Sequence, residues 1–447
     1  MIIMIENIDK LVAIIFSILI LVQAYFVRRI VGTWIFPACL FSLAWFVFTF
    51  FPLVVLFYFP VDPRSIAYIF LCVSFFSLSA LPFKWSIAFE ENKKKNIDDS
   101  AKFTSGFMYG LFYFSSITAV VTTIISVRSN GFSLTSMLFN LLETSGEYAA
   151  MRGQGDLDYD NWGRLSVIFT YISPALGGLI YYDSVKWFRK VFFLFVAFLP
   201  SLFVMLTQSA KLIFFLAMGF FFGAMLIRKI YNNRFQLMSP IFFVRMTGVA
   251  LLIFPLLAVS FLSRESSFIV EDGDSANKIF ASFFSYAFGH VYAFSDWFSH
   301  YLGRVSDLGY VDNFYSYGNY TFQSLFDFFS NGLIFPPGVY DEYFSYDEMV
   351  TTNLYTIFRG LIYDFGGFGT LLFMFWFGLV LHALYYRLLV LRDSWLSCAV
   401  FVISIVCFQA SFIISLFMAR YMYLVFFILF LFLYINDFVL KKYRRVA

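Results

Sequence analysis

The stretch TTNLYTIFRGLIYDFGGFGTLLFMFWFGLVL, Thr351 to Leu381, decides how the chain is read. Its second half is apolar enough to sit in lipid. Its first half places Arg359 and Asp364 where the chain is already approaching the bilayer. Charges at membrane depth are expensive and face a cavity or one another when they occur. The stretch therefore reads as a membrane helix whose entrance carries either an ion pair or a binding site.

The rest of the 447 residues has the same apolar character. The chain is 61% hydrophobic and 13% charged, against roughly 25% charged in a soluble domain, and its mean hydropathy is +0.79. This composition defines an all-α polytopic integral membrane protein. Apolar runs of about 18 residues or more fall at 10–27, 34–58, 66–88, 104–127, 164–182, 191–209, 211–227, 240–262, 365–386, 395–418 and 421–439. About 11 transmembrane helices are expected, 11–13 if re-entrant or interfacial segments add to them, with residues 1–447 forming a single integral membrane domain. The first run ends in Arg28-Arg29 without a small-residue cleavage site, so it reads as a retained span.

Lys and Arg gather at Arg28-Arg29, EENKKKNIDDSAK, KWFRK, RKIYNNR, YYRLLVLRD and the tail KKYRRVA, whereas the acids concentrate in the other connections. By the positive-inside bias, the amino terminus is outside and the carboxyl terminus inside. The inner connections are short and there is no GxxxxGK[ST] loop, which excludes a cytosolic nucleotide-binding domain. Cys39, Cys72, Cys398 and Cys407 lie inside apolar runs without metal-like spacing and read as packing thiols.

Two outer segments are long, 128–163 and 263–355. The second is acidic and rich in Tyr, as in SYAFGHVYAFSDWFSHYLGR, which carries Tyr286, Tyr292 and Trp297. Loops of that length are uncommon without function. Aromatic faces beside carboxylates suit sugars, and the same residues could also pack on one another as a folded cap. Four cations, Lys211, Arg264, Arg359 and Arg420, stand at the outer ends of helices. Pyrophosphate is a natural partner for such a group, because Arg binds phosphate oxygens bidentately and Lys supplies a point charge. Snorkelling to headgroups, or pairing with loop carboxylates, is the plainer reading for each cation alone.

His290, Asp296, His300 and Asp364 are the candidate proton acceptors, of which at most one would be a base. Asp156 to Asp160, DLDYD, has the form of a metal-binding DxD, but in its Gly-flanked loop it reads as solvated acids, and no metal or other cofactor is expected.

With these residues in view, the chain resembles the bacterial O-antigen polymerases, the Wzy-type oligosaccharide repeat-unit polymerase family. The resemblance is carried by TTNLYTIFRGLIYDFGGFG, the preceding YAFGHVYAFSDWF and YTFQSLFDFF, the QSAK helix entry and the final MARYMYLVFF. It implies a fold like the C-class (GT-C-like) membrane glycosyltransferases, with the 263–355 segment as a large periplasmic loop capping the site. It implies a bacterial inner-membrane enzyme in lipopolysaccharide O-antigen biosynthesis. Such an enzyme moves a growing glycan from undecaprenyl pyrophosphate to the non-reducing end of a lipid-linked repeat unit, without metal or nucleotide. Carried over, Arg264, Arg359 and Arg420 hold the pyrophosphate. Lys211 departs from the usual Arg and loses the bidentate fork. Asn353 and Tyr355 join the substrate-binding residues, and a chain-length regulator is the expected protein partner. An O-antigen ligase, or a lipid-linked oligosaccharide flippase, remains the alternative.

Overall fold

The computed structural model describes residues 2–94, 102–133, 135, 139–154, 156–157, 160–182, 186–237, 275–303, 309–311, 314–329, 340–347, 349–391 and 394–446. In chain order the helices are α1 (Ile2–Val31), α2 (Pro37–Val55), α3 (Pro63–Leu78), α4 (Trp85–Lys94), α5 (Gly106–Ser129), α6 (Leu141–Gln154) and α7 (Asn161–Tyr181). They continue with α8 (Trp187–Gln208), α9 (Lys211–Tyr231), α10 (Ser275–Tyr301), α11 (Gln323–Phe329), α12 (Thr356–Val390), α13 (Trp395–Ala410) and α14 (Arg420–Val446). A hairpin, β1 (Phe344–Tyr346) against β2 (Val350–Thr352), pairs antiparallel with Ser345 opposite Thr351.

Among the described residues, eight helices are long and apolar enough to cross a membrane: α1, α2, α5, α7, α8, α9, α12 and α14. Helices α3 and α13 are apolar but shorter, 16 residues each. The protein is thus an all-α polytopic membrane protein. Ten of the expected apolar runs reappear as these helices, and the run at 240–262 lies outside the described residues. Two runs end early. The 66–88 run stops at Leu78, turns through Ala80 and Leu81 ahead of Pro82, and restarts as α4. The 395–418 run stops at Ala410, where the Ser411 hydroxyl folds back onto the Phe408 carbonyl at 2.8 Å.

The chain divides into two compact units. The first comprises 1–88, 276–387 and 407–420. In it α1, α2 and α3 pack on one another, with polar contacts between them. Ser17 meets Thr49 at 2.6 Å, while Gln23 donates to the Val73 carbonyl (3.0 Å) and to Ser77 (2.7 Å).

The seam between α2 and α10 follows from one proline. Pro52 has no N–H, so the Phe48 carbonyl loses its helical donor. His290 supplies a replacement, its Nε2 lying 2.9 Å from the Phe48 oxygen. Two residues on, the Tyr292 hydroxyl is shared between the Pro52 (3.0 Å) and Leu56 (2.7 Å) carbonyls. Buried Lys10 donates to the Leu56 carbonyl (3.1 Å) and to that hydroxyl (2.9 Å). The hairpin then seats on α10 through the Thr351 N–H to Ser285 (2.9 Å) and through Gly289, where a Cβ would come within 2.7 Å of Thr352 Cγ2.

The second unit comprises 89–275, 388–406 and 421–447. Helix α7 packs against α5, α8 and α9 along small residues. A Cβ at Gly177 would meet Ala197 at 2.6 Å, and one at Gly178 would strike the Phe221 carbonyl, so only glycine permits this approach. Asp160 caps α7, accepting from Gly163 N (2.7 Å), Ser129 Oγ (2.9 Å) and Ser126 Oγ (3.0 Å). This member of the DLDYD run therefore terminates a helix. Asp158 lies outside the described residues.

Because Pro52 creates the need that His290 meets, the two sites should be coupled. His290→Ala should cost about 1 kcal/mol more in the wild-type background than in Pro52→Ala, where the restored N–H serves Phe48. A double-mutant cycle of thermal unfolding in detergent measures this difference.

Candidate functional site

The site is built on the first turns of α12. Thr356 opens the helix at φ 67°, a left-handed conformation uncommon for a β-branched residue. It is held from outside: the Ile357 N–H bonds the Ser411 carbonyl at 2.8 Å, and Thr356 Oγ1 accepts from Phe358 N at 3.3 Å. Such a conformation costs of order 1–3 kcal/mol and persists only where surrounding structure over-determines it. It fixes the direction in which Arg359 leaves the helix.

Arg359 is fully buried inside an aromatic cage. The guanidinium carbon lies 4.0 Å from the Tyr340 ring centroid, 4.2 Å from Tyr355, 5.2 Å from Tyr310, 5.3 Å from Tyr363 and 5.4 Å from Trp297. All are within cation–π range. Burial pushes the Tyr340 phenol well above its ordinary value and Tyr355 up to about 12, against the opposing pull of Arg359. Both rings therefore stay neutral at neutral pH, and the counter-charge is Glu342, whose Oε1 accepts from Arg359 Nη2 at 3.0 Å. The same Oε1 accepts from Val311 N at 3.2 Å. Nη2 also donates to the Tyr363 hydroxyl at 3.1 Å. That hydroxyl accepts from Trp297 Nε1 (3.0 Å) and donates to the Val311 carbonyl (2.9 Å). Arg359 Nε and Nη1 have no hydrogen-bond partner among the described residues.

Asp364 does not pair with Arg359, which corrects the plainer reading of the stretch. Five helical residues turn the chain by about 500°, so the two side chains leave the axis roughly 140° apart. Asp364 is buried, and its oxygens accept from Ser316 Oγ (2.6 Å), Tyr320 N (3.0 Å) and Thr321 N (2.7 Å). It anchors a turn that frames the cage, since Tyr320 stacks on Tyr340 and Tyr363. Two residues later the helix breaks: Gly366 sits at φ 70°, ψ 172°. The Tyr68 hydroxyl bonds the Gly367 carbonyl at 2.7 Å, and Gly367 N bonds the Tyr301 hydroxyl at 3.2 Å. Residues 356–365 are thus a separate short helix in front of the membrane-crossing portion.

The structure sorts the remaining candidates. His290 is buried between Phe48 and Phe412 with Nε2 engaged, so it serves α2 and the cage does not include it. Asp296 and His300 stand one turn apart on α10, and both meet Tyr310. Asp296 Oδ2 accepts its hydroxyl at 2.5 Å, and the His300 ring lies 5.3 Å from the phenol ring. Trp297 and Tyr355 are cage walls, Asn353 Nδ2 ties down the Tyr340 carbonyl at 3.1 Å, and Tyr292 belongs to the α2 seam. Tyr286 is 43% exposed on α10.

Of the four cations, Arg359 and Arg420 lie in the same unit. The segment that leads to Arg420 is bonded both to α12, through Ser411 and Ile357, and to the Asp364 turn, through Ser415 Oγ and the Thr321 carbonyl (3.2 Å). The Arg420 side chain is 66% exposed, 3.8 Å from Asp327. Lys211 begins α9 in the other unit, and Arg264 lies outside the described residues. Tyr310, Tyr340, Glu342 and Tyr363 complete the cage without having been singled out in the sequence. Only Tyr363 carried a local signal there, the i,i+4 spacing from Arg359. Among the described residues no cluster of His, Cys, Asp and Glu could hold a metal ion. In comparisons with protein-family models, curated proteins and solved structures, the chain matches none of them.

The Asp364 oxygens accept two backbone N–H groups and a hydroxyl, and an amide nitrogen in place of one oxygen would face a donor. Asp364→Asn should destabilise the protein by about 2–3 kcal/mol and loosen the Tyr320 turn, read as a lowered Tm in detergent.

Proposed function

We propose that the protein is an O-antigen polymerase, a membrane glycosyltransferase acting on undecaprenyl-pyrophosphate-linked glycans. The observation that carries this reading is the placement of Arg359: a cation inside a Tyr/Trp chamber, two turns before the glycine break at which the membrane-crossing part of α12 begins. A lipid-linked glycan has that same order of parts. Its isoprenoid lies along an apolar helix, its pyrophosphate needs cations at the boundary, and its sugars need aromatic faces and carboxylates beyond it. The Lys/Arg bias of the sequence supports an outer-side chamber, which in this reading is the periplasmic side of the inner membrane, with the amino terminus periplasmic and the carboxyl terminus cytoplasmic.

In the proposed reaction, a hydroxyl at the non-reducing end of the acceptor repeat unit attacks the anomeric carbon of the donor glycan. The new glycosidic C–O bond forms as the bond to pyrophosphate breaks, and undecaprenyl pyrophosphate leaves with the electron pair. Arg359 and Arg420, which lie in the same unit, offset the charge on the leaving group. The acceptor proton passes to Asp296 or His300, the two acceptors that converge on Tyr310. Asp364 is placed behind them because its oxygens are committed to the fold, and His290 because it is buried between Phe48 and Phe412, outside the cage.

Deleting the gene and separating the lipopolysaccharide on a gel tests the reading. The ladder should collapse to core plus one repeat unit and return on complementation. Bare core would move a ligase or flippase ahead, and an unchanged ladder would end the O-antigen reading. Arg420→Ala, at an exposed side chain, should fold normally and shorten the chains by weakening turnover about tenfold or more.

A further inference from the structure

Arg359 and Glu342 form an unequal pair. The Arg359 side chain is 1% exposed and the Glu342 side chain 19%. The more exposed member of the pair is thus Glu342. Glu342 is held by few bonds. Its Oε1 takes Arg359 Nη2 at 3.0 Å and Val311 N at 3.2 Å, and these two donors converge on one oxygen position. Behind that position the guanidinium keeps two further donors, Nε and Nη1, buried and without a hydrogen-bond partner. A carboxylate on a tethered side chain leaves this fork half used. The surrounding phenols cannot supply the missing negative charge, because burial holds them protonated.

We infer that Glu342 occupies a seat for a phosphate oxygen of the substrate, and that the substrate enters by exchange with the Glu342 carboxylate. The inference rests on the proposed lipid-pyrophosphate chemistry of the site and names the residue that regulates entry. In the free protein Glu342 neutralises Arg359 and keeps the cage closed. When a phosphate group arrives, the Glu342 carboxylate turns out to solvent, and phosphate oxygens take up Nη2, the Val311 N–H and the fork nitrogens that Glu342 leaves unused. A tetrahedral group with several charged oxygens fits this donor set better than a planar carboxylate reaching in from the side. No bond is made or broken; one anion replaces another on the same donors. Glu342 is therefore a competitive internal occupant, and its removal should raise the apparent affinity by the inverse of the fraction of time it leaves the seat free.

The test uses the full chain purified in detergent, with thermal stability followed as ligand is added. The probes are inorganic pyrophosphate and farnesyl pyrophosphate. Glu342→Gln should start less stable than the wild type, because Arg359 loses its counter-ion. Either probe should restore it, at a concentration about tenfold or more below that needed to stabilise the wild type. Tighter binding of farnesyl pyrophosphate identifies a lipid-linked ligand, and equal binding identifies a free anion as the source of the phosphate.

If neither probe binds Glu342→Gln better than the wild type, Glu342 is a structural counter-ion and the inference is overturned. Should Glu342→Gln fail to fold, it is prepared with pyrophosphate present, alongside Glu342→Asp. Rescue by the ligand supports the exchange, and failure of both variants under those conditions overturns it. These binding results are independent of the glycan ladder. Improved binding with an unchanged ladder keeps the seat and removes the polymerase. A collapsed ladder without improved binding does the reverse.

Discussion

The buried charge of Arg359 is the constraint around which its unit is arranged. A guanidinium without water needs compensation from every side, and no single contact provides it. Five ring faces, of a kind worth about 2 kcal/mol when desolvated, combine with the Glu342 carboxylate. The rings come from α10, from the segments leading into and out of the hairpin, and from α12 itself. Elements far apart in sequence are therefore required at one point. The hydrogen bonds of Asn353, Tyr355 and Tyr363 fix the cage walls to one another, so the rings stay in place. Asp364 performs the complementary task from the opposite side of the same short helix, anchoring the turn whose Tyr320 backs the cage.

The α2–α10 seam shows a second use of the same economy. Pro52 breaks the helical ladder at Phe48, and α10 answers with His290 and Tyr292 two residues apart. Those side chains hold α10 against a membrane-crossing helix, and α10 in turn carries Trp297, Asp296 and His300 to the cage one or two turns further on. Lys10 closes the seam from α1. A helix that is insufficiently apolar to cross a membrane by itself is thus positioned by the unsatisfied carbonyls of one that is.

Much of the fold was legible in the sequence because hydrophobic runs state their own length. The eight long apolar helices follow from that pattern, as do their neighbours α3 and α13, apart from the early stops before Pro82 and at Ser411. Arg359 was legible as well, since an arginine at the mouth of an apolar run needs a partner. The partner was not. Glu342 lies 17 residues upstream, across a hairpin, and no periodicity links the two. The candidate sugar-binding aromatics were partly legible: Trp297 and Tyr355 do surround the site, but as walls packed on a cation, whereas Tyr292 bonds the Pro52 and Leu56 carbonyls at the end of α2. Asp364 was visible as important, but its partners were not, because Ser316, Tyr320 and Thr321 lie more than 40 residues upstream and no spacing links them to it.

The break at Gly366 has a mechanical consequence. Unbroken, the 35 residues of α12 would form a rod of about 52 Å, far longer than the roughly 30 Å of hydrocarbon it has to cross. Any tilt imposed by the surrounding lipid would then be transmitted as leverage to the arginine at its tip. The glycine divides that length. Residues 356–365 are fixed by Ser411 and the aromatic box, while the shaft after the break is tied to Tyr68 and Tyr301 at Gly367. The charged chamber and the apolar shaft thus take their directions from different partners, although one helix carries both.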